Sequence, residues 1–235
     1  MDQSVPLKTP APLSRLLLVL SATTGMVDAA SILGMDKVFT ANMTGNVVFL
    51  AFAVSGAAGF HPLHYIVALA AFMAGAATAG RLWRSDSAPR LNHWLVRAAA
   101  IESGLLFLGG TLSILSLRSG IVPAGATAMI IAVTAGAMGF RNAVIRALKV
   151  PDLTTTVLTL TITGIAADSW LASRTASNLA ARLGAVGAIF GGALAGAMVF
   201  HWFGLGATLL ATGGLVLLAT LIFVRHPQIA EMQRK

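Results

Sequence analysis

Residues 16–34 of the chain read LLLVLSATTGMVDAASILG, an apolar run whose only charged side chain is Asp28. A helix that crosses a bilayer needs about 20 predominantly apolar residues, so this run predicts a membrane span. Further apolar segments follow it at 42–58, 64–82, 98–117, 121–142, 153–170, 182–203 and 205–224. The 235 residues are 57% hydrophobic and 10% charged, whereas soluble domains carry about 25% charged residues. We therefore predict one all-α, polytopic membrane domain over residues 1–235.

Two of these apolar segments differ from ordinary spans. Segment 42–58 is short, and segment 153–170 is crowded with threonine. If every segment crosses the membrane, Lys and Arg are divided equally between its two sides. If these two segments instead enter and leave on the same side, Lys37 and Arg118 are the only basic residues outside. Because Lys and Arg concentrate in cytoplasmic loops, we predict six spans, two re-entrant segments and cytoplasmic termini.

A short motif recurs in the two halves of the chain. Residues Gly25–Ala29 read GMVDA, and residues Gly139–Ala143 read GFRNA, an offset of 114. Each motif ends a predicted span and precedes one of the two polar segments. Since three crossings separate the motifs, we predict that residues 14–117 and 121–225 (approximate bounds) are inverted repeats. In transporters built this way, the solute site lies near the bilayer midplane, where the repeats meet.

Asp28 is the first candidate for a functional residue. An ionisable side chain inside a span normally faces a cavity or a partner. The residue equivalent to Asp28 in the second motif is Asn142, and Arg141 precedes it. We expect Asp28 to approach Arg141 or Asn142 across the pseudo-two-fold axis. The alternative is that Asp28 caps a helix or forms a purely structural pair.

The two polar segments supply the other candidate solute-binding residues. Non-helical backbone inside a membrane occurs only where protein buries it or water reaches it, and Gly45 would allow a sharp turn there. A short helix from Val47 onward would direct its N-terminus, which favours anions or oxygen-rich solutes, toward the turn. The threonines of the second segment either line a polar surface or bond to helix carbonyls. The candidates are Asn42, Thr44, Gly45, Asn46, Thr154, Thr155 and Thr156.

Glu102 is an acidic residue in the fourth apolar segment, 98–117, five positions after Arg97. We expect its carboxylate to lie near the cytoplasmic interface, where it would reach water or pair with Arg97.

Small residues recur at one-turn spacing in segment 182–203. They allow another helix to approach closely, either within the chain or in a homo-oligomer. The glycines concerned are Gly187, Gly191, Gly192 and Gly196.

Motifs that would indicate an enzyme are absent from the sequence. It contains no zinc-protease, phosphate-loop, nucleophile-elbow or dinucleotide-binding pattern, and its five histidines lack metal-ligand spacing. Its basic residues form short clusters rather than a basic helix with aromatics, which argues against nucleic acid as a partner. We predict neither catalysis nor a cofactor or metal.

The element VFTANMTGN at 38–46, together with the GMVDA motif, resembles the signature of the YoaK family of bacterial membrane proteins. The second half is similar to it through Met138–Ala143 and the threonines at 154–156. The resemblance covers nearly the whole chain. It implies a six-span protein of the bacterial inner membrane and brings no function with it.

The inferred repeat and its polar segments favour a secondary transporter or channel for a small polar solute. The alternative is a membrane scaffold or sensor that transports nothing. In that case the polar groups around Asp28 would pack against one another and leave no water-accessible cavity.

Overall fold

The structure is a computed structural model that describes residues 11–85, 91–118, 125–148, 158–167 and 179–226. These ranges are helical apart from short turns and the loop between the first two helices, and contain no strand. The helices are α1 (Ala11–Gly34), α2 (Met43–Val54), α3 (Pro62–Ser85), α4 (Leu91–Arg118), α5 (Ala126–Ala147), α6 (Leu158–Ala167) and α7 (Leu179–Val224). Five of them, α1, α3, α4, α5 and α7, are long and apolar enough to cross a membrane.

The helices α2 and α6 are too short to cross a bilayer. They contain 12 and 10 residues, which correspond to about 18 and 15 Å of helix, whereas the hydrocarbon core is about 30 Å thick. They lie within the predicted segments 42–58 and 153–170. Residues 153–157 and 168–170, at the ends of the second segment, lie outside the described residues.

Two of the long helices extend beyond the predicted apolar segments. Helix α4 begins at Leu91 instead of residue 98, and α5 continues to Ala147 instead of ending at residue 142. Hydropathy falls at the arginines in these extensions, which explains the shorter predictions. The helices nevertheless continue, because Trp94 and Val144 pack in a common apolar cluster at this end of the bundle.

Helix α7 consists of two segments that run in opposite directions. Gly204 has φ +79° and ψ −179°, a backbone conformation that essentially only glycine adopts. Before it, Gly184 lies near Leu18 and Gly196 near Met26, so segment 179–203 runs parallel to α1. After it, residues 206 and 213 pack against α4 in the reverse order, with Gly110 and Leu106 respectively. The break at Gly204 falls between the two predicted segments 182–203 and 205–224.

Close helix contacts join the two halves of the chain. In α1, Gly25 lies against the backbone of Ile189, and Gly192 of α7 lies against the carbonyl of Ala22. In α5, Gly139 lies against the carbonyl of Phe72, and Gly75 of α3 lies against that of Gly136. A Cβ atom at any of these glycines would overlap backbone atoms of the neighbouring helix, so glycine is what allows the approach.

The bundle has two ends, defined here by helix direction. At the amino end, α1 and α4 begin while α3, α5 and α7 end, and a leucine-rich cluster that includes Leu16, Leu95 and Val216 fills the interior. At the opposite end, Met35, Tyr65 and Leu209 belong to a second cluster.

The two short helices lie at different ends of this bundle. Helix α2 packs on α3 at the opposite end, where the rings of Phe49 and Tyr65 are 5.9 Å apart. Helix α6 packs on α7 at the amino end, where Gly164 contacts Arg182. The two short helices therefore lie apart, and because residues 153–157 of the second polar segment lie outside the described residues, a meeting of the two segments near the bilayer midplane stays a prediction. Helix α2 lies near the end of the bundle at which α1 ends, and α6 lies near the end at which α5 ends.

Candidate functional site

The chain between α1 and α2 folds back toward the middle of the bundle. After Gly34 it turns through Asp36 and Lys37, which both have positive φ angles. It then returns far enough for the backbone N–H of Ala41 to donate to Oδ1 of Asp28 at 3.0 Å. Asp28 lies six residues before the end of α1, or about 9 Å below it. Residues 38–42 and α2 thus form a hairpin, called here the α2 hairpin, with its tip beside Asp28.

Asp28 interacts with the tip of the α2 hairpin. Its carboxylate, which is partly buried, accepts from the N–H of Ala41 and lies beside that of Thr40. Helix α2 begins two residues later at Met43. A helix N-terminus carries a partial positive charge that stabilises a nearby anion. The sequence indicated a helix from Val47 onward after a turn at Gly45, but the helix begins at Met43 and contains Gly45. The anion next to its N-terminus is the chain's own Asp28.

The side chain of Asn46, in α2, binds the non-helical arm of the α2 hairpin at Phe39. Its Oδ1 accepts from the N–H of Phe39 at 2.9 Å, and its Nδ2 donates to the carbonyl oxygen of the same residue at 2.6 Å. The side chain is fully buried. One amide therefore satisfies both polar backbone groups of Phe39, which a helix or sheet would otherwise have to satisfy.

The three other candidates in this hairpin lie close to its tip. Asn42 occupies the N-cap position of α2, but its side chain makes no capping hydrogen bond, and it is exposed. Thr44 is also exposed. Gly45 lies against the Phe39 ring, where a Cβ atom would overlap the ring. Candidates Thr154, Thr155 and Thr156 lie outside the described residues.

Arg141 and Glu102 form an ion pair inside the bundle. The guanidinium Nη2 of Arg141 donates to Oε1 of Glu102, and the two side chains are only 2% and 5% exposed. The Nη1 atom of Arg141 donates to the carbonyl oxygen of Leu20 at 3.1 Å and to the hydroxyl of Thr24 at 3.0 Å. The Nε atom of Arg141 is buried and has no acceptor among the described residues. The pair thus joins α4 and α5, with α1 as the third support.

Two expectations for these charged residues need correction. Glu102 does not lie at an interface, and its partner is Arg141 rather than Arg97, because five positions along a helix place two side chains on different faces. Arg141 contacts α1 at Leu20 and Thr24, one to two turns before Asp28. Arg141 therefore approaches Asp28 closely enough for electrostatic attraction, but no hydrogen bond or ion pair joins the two side chains. The amide of Asn142 bonds to the carbonyl of Met138 in its own helix at 2.9 Å.

A small cavity adjoins the ion pair on its amino side. Its volume is about 30 Å³, which is comparable to the share of one water molecule in the liquid. Glu102, Arg141 and Thr220 are its polar lining, and the remaining lining is apolar, as at Leu16 and Val216. Every lining residue comes from the amino-end portions of α1, α4, α5 and α7. The unpaired Nε–H of Arg141 is thus a buried donor beside a space that is large enough for a small acceptor.

The predicted glycine surface of α7 divides into two parts. Gly192 and Gly196 pack against α1 at Ala22 and Met26, so they serve a contact within the chain. Gly187 and Gly191 face outward, with no atom within 4 Å of the position of a Cβ. An oligomer contact through this outer pair remains a prediction.

Glu102 was not among the site residues selected from sequence. The signal that could have identified it is its position, because an ionisable residue within a span is by itself a candidate. Its partner is 39 residues away on another helix, and one sequence contains no information that links two such distant positions. Thr24 and Leu20 were missed for the same reason, since their role is to accept hydrogen bonds from Arg141.

Apolar helices of membrane-crossing length and a charged pair at their centre define a polytopic helical membrane protein. The chain belongs to the family described as Protein of unknown function (DUF1275), which matches residues 16–222. The resemblance to the YoaK family is also confirmed. The chain is 28% identical over 153 residues to the UPF0700 transmembrane protein YoaK of Bacillus subtilis (strain 168).

The match to the Bacillus subtilis protein covers 65% of this chain and 65% of that protein, so it extends over less than two thirds of either. No solved structure matches the chain. These relationships place the protein in a membrane and leave its activity open.

Proposed function

We propose that the protein is a secondary transporter or channel that moves a small polar solute across the bacterial inner membrane. The observation that carries this proposal is the buried Arg141–Glu102 pair beside a cavity. Transferring two charges from water to a protein interior costs several kcal/mol for each ion. Charged side chains within membrane spans therefore commonly mark solute or ion pathways. Here the pair lies where helices from both halves of the chain meet.

The helix contacts support an inverted repeat. The offset of 114 that relates the two sequence motifs carries Gly25 of α1 onto Gly139 of α5. The backbone partner of Gly25 is Ile189, and that of Gly139 is Phe72; these two partners are themselves 117 positions apart. The contact between Ala22 and Gly192 recurs with the same offsets between Gly136 and Gly75. Equivalent helices are antiparallel, as a pseudo-two-fold axis in the membrane plane requires.

Six crossings follow from this arrangement if α7 is counted as two spans separated at Gly204. Most described basic residues then lie at the amino end, which we assign to the cytoplasm because Lys and Arg concentrate there. They are Arg15, Arg81, Arg84, Arg97, Arg146, Arg182 and Arg225. Lys37 lies at the opposite end. Both chain termini would be cytoplasmic, and the α2 hairpin would enter the membrane from outside.

The cavity then lies on the cytoplasmic side of the ion pair. Its lining residues belong to the amino end, whereas Val27, Leu106 and Met138 cover the other side of the ion pair and are fully buried. The leucine-rich cluster that includes Leu16, Leu95 and Val216 covers the cavity at the amino end, so the site is closed on both sides. Transport would need the inner and the outer layer of packing to open in turn.

Cysteine accessibility tests this proposal directly, because the chain has no cysteine of its own. Ala99→Cys introduces a thiol into the cavity lining, and Ala137→Cys introduces one into the packed outer side. A thiol reagent that cannot cross membranes is applied to right-side-out or inverted vesicles. We expect Ala99→Cys to react from the cytoplasmic side and Ala137→Cys to react, more slowly, from outside.

Lack of reaction at both positions from either side would contradict the proposal. Osmotic swelling of proteoliposomes in glycerol, urea and formate then measures solute passage, with the Arg141→Gln variant as the matched control. Passage that is the same for both proteins would show that the ion pair is not in the pathway.

A non-transporting scaffold or sensor is the second candidate, and one observation favours it. The polar groups of Asp28 and Asn46 bond to the backbone of the α2 hairpin, as expected if they only fix its shape. This candidate predicts no thiol reaction at position 99 and none at position 137, since Ala99 and Ala137 are both buried. The labelling experiment therefore separates the two functions.

A further inference from the structure

The two members of the buried ion pair are held very differently. The guanidinium of Arg141 is fixed to α1 through Leu20 and Thr24 as well as to Glu102. The carboxylate of Glu102 has one polar partner among the described residues, and that partner is Arg141. Arg141 is thus an anchored cation, while Glu102 is an anion with a single attachment. If another molecule replaces one partner of the ion pair, it therefore replaces the Glu102 carboxylate.

We infer that the cavity binds a small monocarboxylic acid, whose carboxylate takes the place of Glu102 on Arg141. This inference rests on the proposed transport function and names the substrate class of the same site. Arg141 lines the cavity, and its buried Nε–H has no acceptor among the described residues, so this group is available as the second donor of a bidentate contact. Arginine binds carboxylates in this two-point geometry better than any other side chain.

Charge balance determines the form in which the solute binds. The site now contains one positive and one negative charge, and an added anion would leave an uncompensated charge, which is strongly unfavourable inside a protein. The solute therefore enters with one proton. Its carboxyl group gives this proton to Glu102, so that neutral Glu102 and an Arg141–carboxylate pair replace the original pair. One proton and one anion are bound together, and the net charge does not change.

The surroundings of Glu102 agree with this exchange. Arg141 is the charged group that faces Glu102 from α5. Helix α1 presents the Thr24 hydroxyl to Arg141, and α7 presents Thr220 to the cavity. Neither hydroxyl could replace Arg141 as a counter-charge, so proton uptake by Glu102 depends on a second anion at Arg141.

The lining of the cavity restricts the rest of the solute. Apart from its three polar residues, the cavity is bordered by apolar side chains such as Leu17, Leu20 and Ala99. A second charged group on the solute would have no partner there. Because the volume of about 30 Å³ is only that of about one water molecule, a bound acid must also occupy the space that the Glu102 carboxylate leaves on Arg141, and its carbon chain is limited to one or two atoms. Formic and acetic acids are therefore the expected class, and dicarboxylates and amino acids are excluded.

Acetate is a practical probe for this site. Its binding to the full chain in detergent is measured by saturation-transfer difference NMR, with acetamide as the neutral analogue of the same shape. We expect acetate to bind and acetamide not to bind. Because each bound acetate carries one proton, acetate affinity should fall about tenfold per pH unit above the range in which Glu102 titrates.

The variant Glu102→Gln provides the sharper test, because glutamine imitates protonated glutamate. We expect this variant to bind acetate more strongly than the natural protein at pH 7.5 and to lose the pH dependence. Arg141→Gln should lose acetate binding. Thermal unfolding of Glu102→Gln in detergent gives an independent measurement, since acetate should raise its unfolding temperature while sodium chloride should not.

Two results would overturn this inference. One is equal binding of acetamide and acetate, which would indicate a neutral polar solute. The other is a Glu102→Gln variant that acetate neither binds nor stabilises. Neither result depends on the cysteine labelling at positions 99 and 137. If those thiols react as expected and acetate does not bind, only the substrate class is wrong; if they do not react, the transport function itself fails.

Discussion

Arg141 is held by three acceptors, whereas the carboxylate of its ion-pair partner Glu102 is held by Arg141 alone. Both side chains are buried inside the bundle. The pair links α4 and α5, with α1 as a third support that acts on Arg141 alone. This unequal attachment gives the two residues different expected phenotypes, since loss of the anchored cation leaves a carboxylate that no other described charge can compensate.

The energetic contribution of the pair can be measured with a double-mutant cycle. Glu102→Leu or Arg141→Met alone should destabilise the protein by about 3–5 kcal/mol, because each leaves one buried charge without its partner. The double variant should be much less destabilised, since no buried charge remains. Unfolding in mixed micelles with increasing sodium dodecyl sulfate gives the three free energies. A double variant whose loss equals the sum of the single losses would show that the two charges do not interact.

Asn46 should be important for stability, whereas the neighbouring Asn42 should not. Asn46→Ala removes both hydrogen bonds to Phe39 and leaves two polar backbone groups unpaired, at about 1–3 kcal/mol for each buried group. Asn42→Ala removes an exposed side chain that makes no capping bond, so it is the matched control and should change stability by less than about 0.5 kcal/mol. The same unfolding assay compares them, and similar losses for both would argue against the role assigned to Asn46.

The role of Asp28 can be separated from its charge. In Asp28→Asn, the amide oxygen can still accept from the N–H of Ala41, so hydrogen exchange of that N–H should remain slow. In Asp28→Ala the acceptor is lost, and exchange at Thr40 and Ala41 should accelerate. Mass spectrometry of the peptide that contains residues 38–42 measures this difference. Fast exchange in both variants would mean that the negative charge, rather than the hydrogen bond, holds the hairpin.

Glycines on the two sides of α7 should tolerate substitution very differently. Gly192→Val places a side chain against the carbonyl of Ala22 and should separate α1 from α7, with loss of folded protein. Gly191→Val is the adjacent control, because its Cβ position is open. The yield and elution volume of each variant on size-exclusion chromatography provide the measurement. If Gly191→Val folds but elutes as a smaller species than the natural protein, the outer glycine face is an oligomer contact.

Gly204 should be required for the reversal within α7. Gly204→Ala forces a Cβ atom into a backbone conformation that costs on the order of 1–3 kcal/mol for other residues. Gly214→Ala, in a helical position with open space around it, should instead leave stability unchanged or raise it slightly. Thermal unfolding in detergent compares the two variants. A Gly204→Ala protein as stable as Gly214→Ala would show that the reversal does not depend on this angle.

The positions of the helices could be predicted from the sequence because lipid exposure leaves a strong compositional signal. The shortness of α2 and the break near Gly204 follow from local residue types. The helix ends were less accurate, since Arg141 and Arg146 lower the hydropathy of a helix that tertiary packing continues, and α2 begins at Met43 instead of Val47.

The composition of the site could not be predicted to the same extent. Asp28 and Arg141 were recognised as unusual, but the partner of each is a distant group, a backbone N–H in one case and Glu102 in the other. Such pairings depend on how helices rotate and pack, and residue spacing within one helix does not determine them. The packing of Gly192 and Gly196 on α1 was likewise one of two alternatives that the sequence left open.

The contact between α1 and the first segment of α7 has a consequence for how the protein is made. Helix α1 precedes α7 in the chain, so α1 must wait in the lipid while the helices between them are synthesised. During that interval Gly25 and Ala22 face lipid or the insertion machinery instead of their final neighbour. Truncated chains that end before residue 179 should therefore expose α1 to membrane proteases, and this contact should form only after α7 has been synthesised.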